Sequence, residues 1–389
     1  MWRIIFSISA NSGICTAVCF LFSCFLGSSP KAYGQQIKFI KNLENQNICN
    51  ENYDFKTNTI SFEASKDSLN TCALWFNFGV TGYRLDTVLT FKSRFSRYNY
   101  NPSLPVYSYD NKNFTAIANK FRNNDFEISI LPKADTIYLA TGFPYTFSML
   151  KTFLDDNSKK KNLRKIEYLD SQAQLLTITG KNLKKDSKKK LIWIICRQHA
   201  FESVSNYVLQ GMLEYLLDDK KCDKKLLKNY IFKIVPMVDI ENVTLGQTGR
   251  MSKPQDYNRD WLTQKRQRVQ TIEDKILEAS KQYNYYVFFD IHGTFPGGIT
   301  EYFSMFDLKG NESKSKNLEK YSSKISQNLG LNFHTIPDKE QSYEGLTADW
   351  WNFLNFSNLH FSTTIEIDWI ENLNTYYQIG EEMIKAIMK

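Results

Sequence analysis

From about residue 35 to 140 the chain alternates apolar and polar positions with period two. Leu74, Phe76, Phe78 and Val80 alternate with Trp75, Asn77 and Gly79, and Leu85, Thr87, Leu89 and Phe91 repeat the device beyond a turn at Thr81-Gly82. Successive side chains of a strand point to opposite faces, so this pattern predicts half-buried strands. Residues 59–62, 126–131 and 135–140 read the same way. Short, evenly spaced strands with no convincing helix predict a small antiparallel β-sandwich over residues 35–142.

The remainder, residues 143–389, has a different period. Residues 191–196 form a continuous apolar run, as expected of a strand covered on both faces. Val204, Tyr207, Val208, Met212, Tyr215 and Leu216 then recur at three- and four-residue spacing, predicting an amphipathic helix that ends near Asp218. Residues 231–238 predict a second buried strand despite Pro236. Thr271 with Asp274 resembles a capping box opening a helix through Gln282. A third strand is expected at 285–290, a fourth at 362–367 and a closing helix at 377–388. Alternating strands and helices imply an α/β domain with a mainly parallel, mixed sheet, whose ligand site lies beyond the carboxyl ends of its strands.

Composition narrows the possibilities. With 389 residues, 42% hydrophobic and 23% charged, the chain is globular and long enough for two or three domains. Two of the net +8 charges, Arg3 and Lys31, belong to residues 1–34, which read as a signal peptide: a basic start, an apolar stretch over 14–26, and small residues at Ala32 and Gly34. A secreted or periplasmic destination follows, with cleavage before Gln35. The apolar stretch is shorter than the roughly 20 residues that a membrane span takes. Cys24 lies in a loose lipobox, Leu21-Phe22-Ser23-Cys24, whose bulky Phe22 disfavours anchoring. Of the cysteines beyond the leader, Cys49 and Cys72 could close a short loop in an oxidising compartment. The lysine tracts at 159–161, 188–190 and 224–225 sit among Asp, Asn and Ser, where solvated loops are expected, and no nucleic-acid-reading motif accompanies them.

The candidate chemistry collects at the predicted strand ends. His199 and Glu202 follow the first strand, Asn258 and Arg259 lie after the second, His292 ends the third and Glu366 lies in the fourth. The chain has only four histidines, and two of them follow buried strands at once. His199, Glu202 and His292 offer two nitrogens and a carboxylate, the donor set of a catalytic zinc with one open position. Alone, His-x-x-Glu would more readily be a surface or capping histidine, and His334 and His360 are read as structural or exposed.

With those residues in place the sequence resembles the zinc metallocarboxypeptidase family, nearest its cytosolic carboxypeptidase-like branch. The residues that carry the resemblance are Arg197-Gln198-His199-Ala200-Phe201-Glu202, the strand Phe232 to Met237, Asp256-Tyr257-Asn258-Arg259-Asp260-Trp261, Asp290-Ile291-His292-Gly293 and Thr364-Ile365-Glu366. A β-sandwich ahead of the catalytic domain also fits that branch. The resemblance implies one zinc ion on His199, Glu202 and His292, with Glu366 as general base and then acid. It implies Arg250 at the developing oxyanion, Asn258 and Arg259 on the substrate's terminal carboxylate, and Asp256 orienting His199. Tyr343 is the candidate for a mobile tyrosine over the bound end, with Tyr302 and Tyr321 as other phenols. The alternative for Arg250 is an ordinary loop arginine, and for Asp290 a satisfied carboxylate near a strand end. Ala200-Phe201 stands where the family has Pro-Gly, which predicts a less rigid loop between two ligands, and residues 239–242 depart from a common Asn-Pro-Asp-Gly.

The implied activity is hydrolysis of the C-terminal peptide bond of a peptide or protein. Alternatives are a zinc amidase or deacylase acting on cell-wall peptides or N-acyl amino acids, and a binding protein with a vestigial zinc site. No nucleic-acid partner is expected.

Overall fold

The computed structural model describes residues 36–65, 73–94, 104–117, 125–180, 188–295, 303–308, 311–337 and 343–387. The signal-peptide reading of residues 1–34, Cys72 with its suggested bridge to Cys49, and Tyr302 lie outside the described residues.

The first part is two packed sheets. One contains β1 (Lys38–Ile40), β4 (Asn77–Thr81), β6 (Val106–Ser108), β7 (Thr115–Ala116) and β9 (Thr136–Ala140), ordered β1-β4-β9-β6-β7 and antiparallel throughout. The other contains β2 (Cys49–Asp54), β3 (Thr59–Glu63), β5 (Leu89–Arg94) and β8 (Asp125–Ile130), ordered β2-β3-β5-β8. The pairings are antiparallel as expected, except that β3 and β5 run parallel. Between the sheets Phe62 packs 5.0 Å from Phe76 and 4.8 Å from Phe78, ring centre to ring centre. The alternation through Leu85 and Thr87 does not become strand. That segment is gathered into a loop by the buried Asn58 amide, whose Nδ2 donates to the carbonyls of Arg84, Thr87 and Val88, and it leaves Leu85 exposed.

The second part is an eight-stranded sheet, β10 (Leu163–Tyr168), β11 (Gln174–Ile178), β12 (Lys190–Cys196), β13 (Tyr230–Val235), β14 (Asn284–Gly293), β15 (Phe303–Asp307), β16 (Phe333–Pro337) and β17 (Phe361–Ile367). Its order is β10-β11-β13-β12-β14-β17-β15-β16. The four central strands, β13, β12, β14 and β17, are parallel and correspond to the four predicted strands. The antiparallel pairings β10–β11, β11–β13 and β15–β17 make the sheet mixed. Successive residues of β14 face opposite layers: Phe289 packs 5.5 Å from Tyr321, and Phe288 packs 6.3 Å from Trp261.

Helices α1 (Phe147–Asn157), α2 (Ser203–Leu217), α3 (Lys224–Asn229), α4 (Ile240–Leu245), α5 (Gln267–Ser280), α6 (Glu312–Leu329), α7 (Ala348–Asn355) and α8 (Leu373–Ala386) complete this part. Helix α5 begins four residues before the expected capping box. Thr271 lies inside it with its hydroxyl bonded back to the Gln267 carbonyl, while the buried Asp260 carboxylate takes the N–H groups of Lys265 and Arg266 just ahead of the helix. Helices α2 and α8 approach backbone to backbone: a Cβ on Gly380 would fall 1.9 Å from the Val208 carbonyl oxygen. Among the described residues no helix is long and apolar enough to cross a membrane.

The segment that leads into β4 joins the two parts. Phe76, Phe78 and Val80 enter the sandwich core, whereas Leu74 and Trp75 enter the core of the α/β sheet. The Trp75 indole donates to the Asn45 carbonyl, and the buried Asn47 amide donates to the Gly246 carbonyl at 2.8 Å and to Ser65 at 3.2 Å. Asn45 N donates to the Thr244 carbonyl and Leu74 N to the Thr248 hydroxyl. The sandwich therefore grips residues 244–248. Replacing Asn47 by Ala strands the buried Gly246 and Ser65 groups, and we expect a loss of about 1–3 kcal/mol in urea unfolding. A loss below about 0.5 kcal/mol would mean that this contact does not hold the two parts together.

Candidate metal centre and active site

Parallel register delivers the chemical groups to one end of the sheet. Cys196 of β12 lies beside Ile291 of β14, and His292 lies beside Glu366 of β17. Asp290 and His292, two residues apart on one strand, share a face. Just past β12 the chain turns sharply at Arg197, whose φ of 62° is left-handed. The fully buried Arg197 guanidinium then reaches forward to the Ala200 carbonyl, at 2.8 Å from Nε and 2.6 Å from Nη2, and to Asn206 Oδ1 at 2.9 Å.

The expected loosening of the Ala200-Phe201 loop is therefore absent. Arg197 ties it from within, Phe201 N donates to the Thr248 carbonyl, and the Phe201 ring stacks on His199 and on Phe295. Gly249, with φ 76°, lets the following segment press against this loop: a Cβ there would fall 2.6 Å from the Ala200 nitrogen. That contact places Arg250 beside the loop, its guanidinium 4.6 Å from the centre of the Phe295 ring.

His199, Glu202 and His292 are all buried, and one donor atom from each lies within 4.8 Å of the others. Glu202 Oε1 stands 2.8 Å from His199 Nδ1, and Oε2 stands 2.8 Å from His292 Nδ1. The two Nε2 atoms face outward onto carboxylates, His199 to Asp256 Oδ1 at 3.1 Å and His292 to Asp290 Oδ2 at 2.9 Å. This donor set fits a zinc ion. Both Nδ1 atoms and a carboxylate converge, each ring's far nitrogen is held by an acid, and three protein ligands leave a position open.

The electrostatics agree. Burial opposes charge on His199, but Asp256 and Glu202 outweigh it and raise its pKa to about 9. His292 is likewise raised by Asp290 and Glu202 against burial. Burial pushes Glu202 up, yet the two imidazoles bring it down to about 2. These shifts all favour positive charge at the centre of the cluster.

Asp256 is itself positioned, taking N–H groups from Asn258 at 2.8 Å and Met251 at 3.1 Å. Asp290, left open as a mere satisfied carboxylate, contacts His292 and also receives the Gln198 amide at 2.6 Å, and Gln198 Oε1 accepts from the Trp261 indole at 3.0 Å. Trp261, Gln198, Asp290 and His292 form one chain of contacts. Sequence reading missed Gln198 altogether; its one available signal was its place between Arg197 and His199.

The other expected residues surround this centre. Glu366 is pushed up to about 7 by burial and by Glu202, with His292, His199 and Arg250 opposing. The buried Asn258 amide takes the Ala348 N–H at 3.1 Å and places Nδ2 3.3 Å from His292 Nε2. Arg259 lies over the Tyr343 ring at 3.9 Å and donates to the Asn258 carbonyl. Tyr321 is excluded as a mobile cover, because it is buried in α6 and bonded to the Met383 carbonyl. His360, half-buried and stacked on Tyr286, is not part of the cluster. Asp349 spends its carboxylate on Thr347, Trp350 and Thr364, and so offers no unengaged charge to a side-chain pocket.

Residues 168–334 match the zinc carboxypeptidase family, a span that includes His199, Glu202 and His292 but not Glu366. The chain is 35% identical to cytosolic carboxypeptidase 6 of Mus musculus over 139 residues, which is 33% of this chain and 26% of that protein. It is 23% identical to cytosolic carboxypeptidase 1 of Gallus gallus over 236 residues, 57% of this chain and 18% of that protein. The matches thus span about a quarter or less of these relatives. Among solved structures, a metallo-carboxypeptidase from Burkholderia cenocepacia superposes with a TM-score of 0.79 at 21% identity, covering 91% of this chain and 98% of that one. The mixed α/β sheet with a small β domain ahead of it is therefore a carboxypeptidase-like fold.

Two results are expected for zinc. Asp256→Asn weakens zinc binding about 10- to 100-fold in chelator competition. Because His199 is protonated below about 9 in the metal-free protein, zinc binding at pH 7 expels protons and tightens as pH rises towards that value. Calorimetry in buffers of different ionisation enthalpy measures the release; an enthalpy independent of buffer contradicts it.

Proposed function

We propose that this chain, whose residues 168–334 match the zinc carboxypeptidase family, hydrolyses the C-terminal peptide bond of peptides or proteins. The observation that carries the reading is the pairing of His292 with Glu366 across β14 and β17, with the His199–Glu202–His292 cluster at the same strand ends. His199, Glu202 and His292 would hold the zinc, which when bound supplies a Lewis acid and lowers the pKa of water.

The chain's own groups have separate tasks. Glu366, raised by its buried setting, takes a proton from the attacking water and later passes one to the leaving amine. Arg250 offers guanidinium donors towards the charge that develops on the carbonyl oxygen. Arg259 offers a planar fork matched to a terminal carboxylate, and Tyr343, already stacked against it, lies where it can cover the bound end. Asn258 is drawn inward to His292 and Ala348, so Arg259 carries the larger share of carboxylate recognition. Asp256 orients His199.

Glu366→Gln should lower kcat/KM by about 10²–10⁴-fold on a peptide substrate while zinc content stays the same. A zinc-loaded variant as active as wild type contradicts the assignment. Glu366 must be ionised to accept a proton, so kcat/KM rises with pH through its pKa. A neighbouring dication favours the carboxylate, which sets that midpoint below about 7.

A peptide and its C-terminally amidated form separate the peptidase from an amidase or deacylase. The clamp requires much faster turnover of the free acid, and this preference should shrink in Arg259→Gln. Equal turnover of acid and amide would favour the amidase reading.

A further inference from the structure

A second charged site lies on the β10 side of the sheet, and none of its residues belongs to the metal centre. Register places Lys165 of β10, Thr177 of β11 and Lys233 of β13 side by side on one face. Lys275 of α5 closes over them, and a cavity of about 250 Å³ opens among these groups. The three ammonium groups share one half-buried acceptor, Glu167, with Nζ to carboxylate distances of 3.0 Å from Lys165, 3.3 Å from Lys233 and 3.3 Å from Lys275. Glu278 adds a weaker contact to Lys275 at 3.4 Å from an exposed position.

Donors exceed acceptors here. Three lysines present roughly nine N–H groups, against four contacts to two carboxylates. Thr177 is 1% exposed, lines the cavity, and its hydroxyl has no hydrogen-bond partner among the described residues. A buried hydroxyl without a partner is costly unless something fills the space beside it. Lys233 is under-compensated too: burial depresses its pKa, and Lys165 and Lys275 add to the depression while Glu167 only partly offsets it.

We propose that this cavity binds a small polyvalent oxyanion, a phosphate group either free or carried on a larger molecule, through Lys165, Lys233, Lys275 and the Thr177 hydroxyl. A tetrahedral oxyanion accepts from several donors at once and supplies the negative charge that Glu167 alone does not.

The test is calorimetric titration of the zinc-loaded protein with inorganic phosphate, at constant ionic strength with chloride as the control anion. A parallel titration with glycerol phosphate distinguishes a free ion from a carried group. Saturable one-to-one binding is expected, weakened about tenfold or more in Lys233→Met and in Thr177→Val. Lys165→Gln, at an exposed position that does not threaten folding, should also weaken it. Glu167→Gln should tighten it, because it removes the competing carboxylate. Binding unchanged in Lys233→Met and Lys165→Gln would place the phosphate elsewhere, the metal centre included, and overturn the proposal. So would the absence of saturable binding by either phosphate compound to the wild type.

Discussion

A buried excess of negative charge governs the catalytic half of this protein. Glu202, Asp256 and Asp290 press on two imidazoles in a space almost closed to water, at separations of 2.8 to 3.1 Å. Charges so placed repel strongly unless compensated, and the choices are protons on the histidines or a dication between them. The donor geometry suits the second: the inward nitrogens meet Glu202, while the outward ones are already held. Everything that fixes the positions of those five groups therefore bears on the chemistry, including residues that touch neither metal nor substrate.

Much of the rest of the fold serves that fixation. Parallel pairing of β12, β14 and β17 sets His292 and Glu366 side by side at one end of the sheet, and the turn at Arg197 just past β12 brings His199 to them. The sandwich contributes from the other side, holding Thr244, Gly246 and Thr248 through Asn45, Asn47 and Leu74, and so fixing the path of the chain that ends at Arg250. The N-terminal sheets are thereby part of the scaffold of the site, whatever they bind on their own account.

The legible parts of the sequence were those whose signal is local. A continuous apolar run marked β12, and largely apolar stretches marked β13 and β14, because both faces of these strands are covered; histidines are scarce enough for two at strand ends to stand out. Edge strands such as β10 and β16, partly exposed, carry no such run and went unread. The parallel β3–β5 pair was invisible because period two reports which face is buried, not the direction of the neighbour. Leu85 and Thr87 kept the alternation by chance, and a single Asn58 amide overrode it. Asp290 and Gln198 show the same limit at the site: their importance arises from a contact across 92 residues of sequence, set by register, and no short motif encodes it.

Arg197 bears on how this loop responds to substitution. Where a turn is stiffened by proline and glycine, the constraint is written into the very positions that form it, and those positions cannot drift. Here the restraint is exported to one guanidinium upstream, which grips a main-chain carbonyl and is indifferent to the side chain at residue 200. Positions 200 and 201 are held separately by packing: both are buried, a Cβ on Gly249 would fall 3.0 Å from the Ala200 Cβ, and the Phe201 ring lies stacked between His199 and Phe295. The loop is thus fixed twice, by a main-chain grip that ignores side chains and by a close fit that does not.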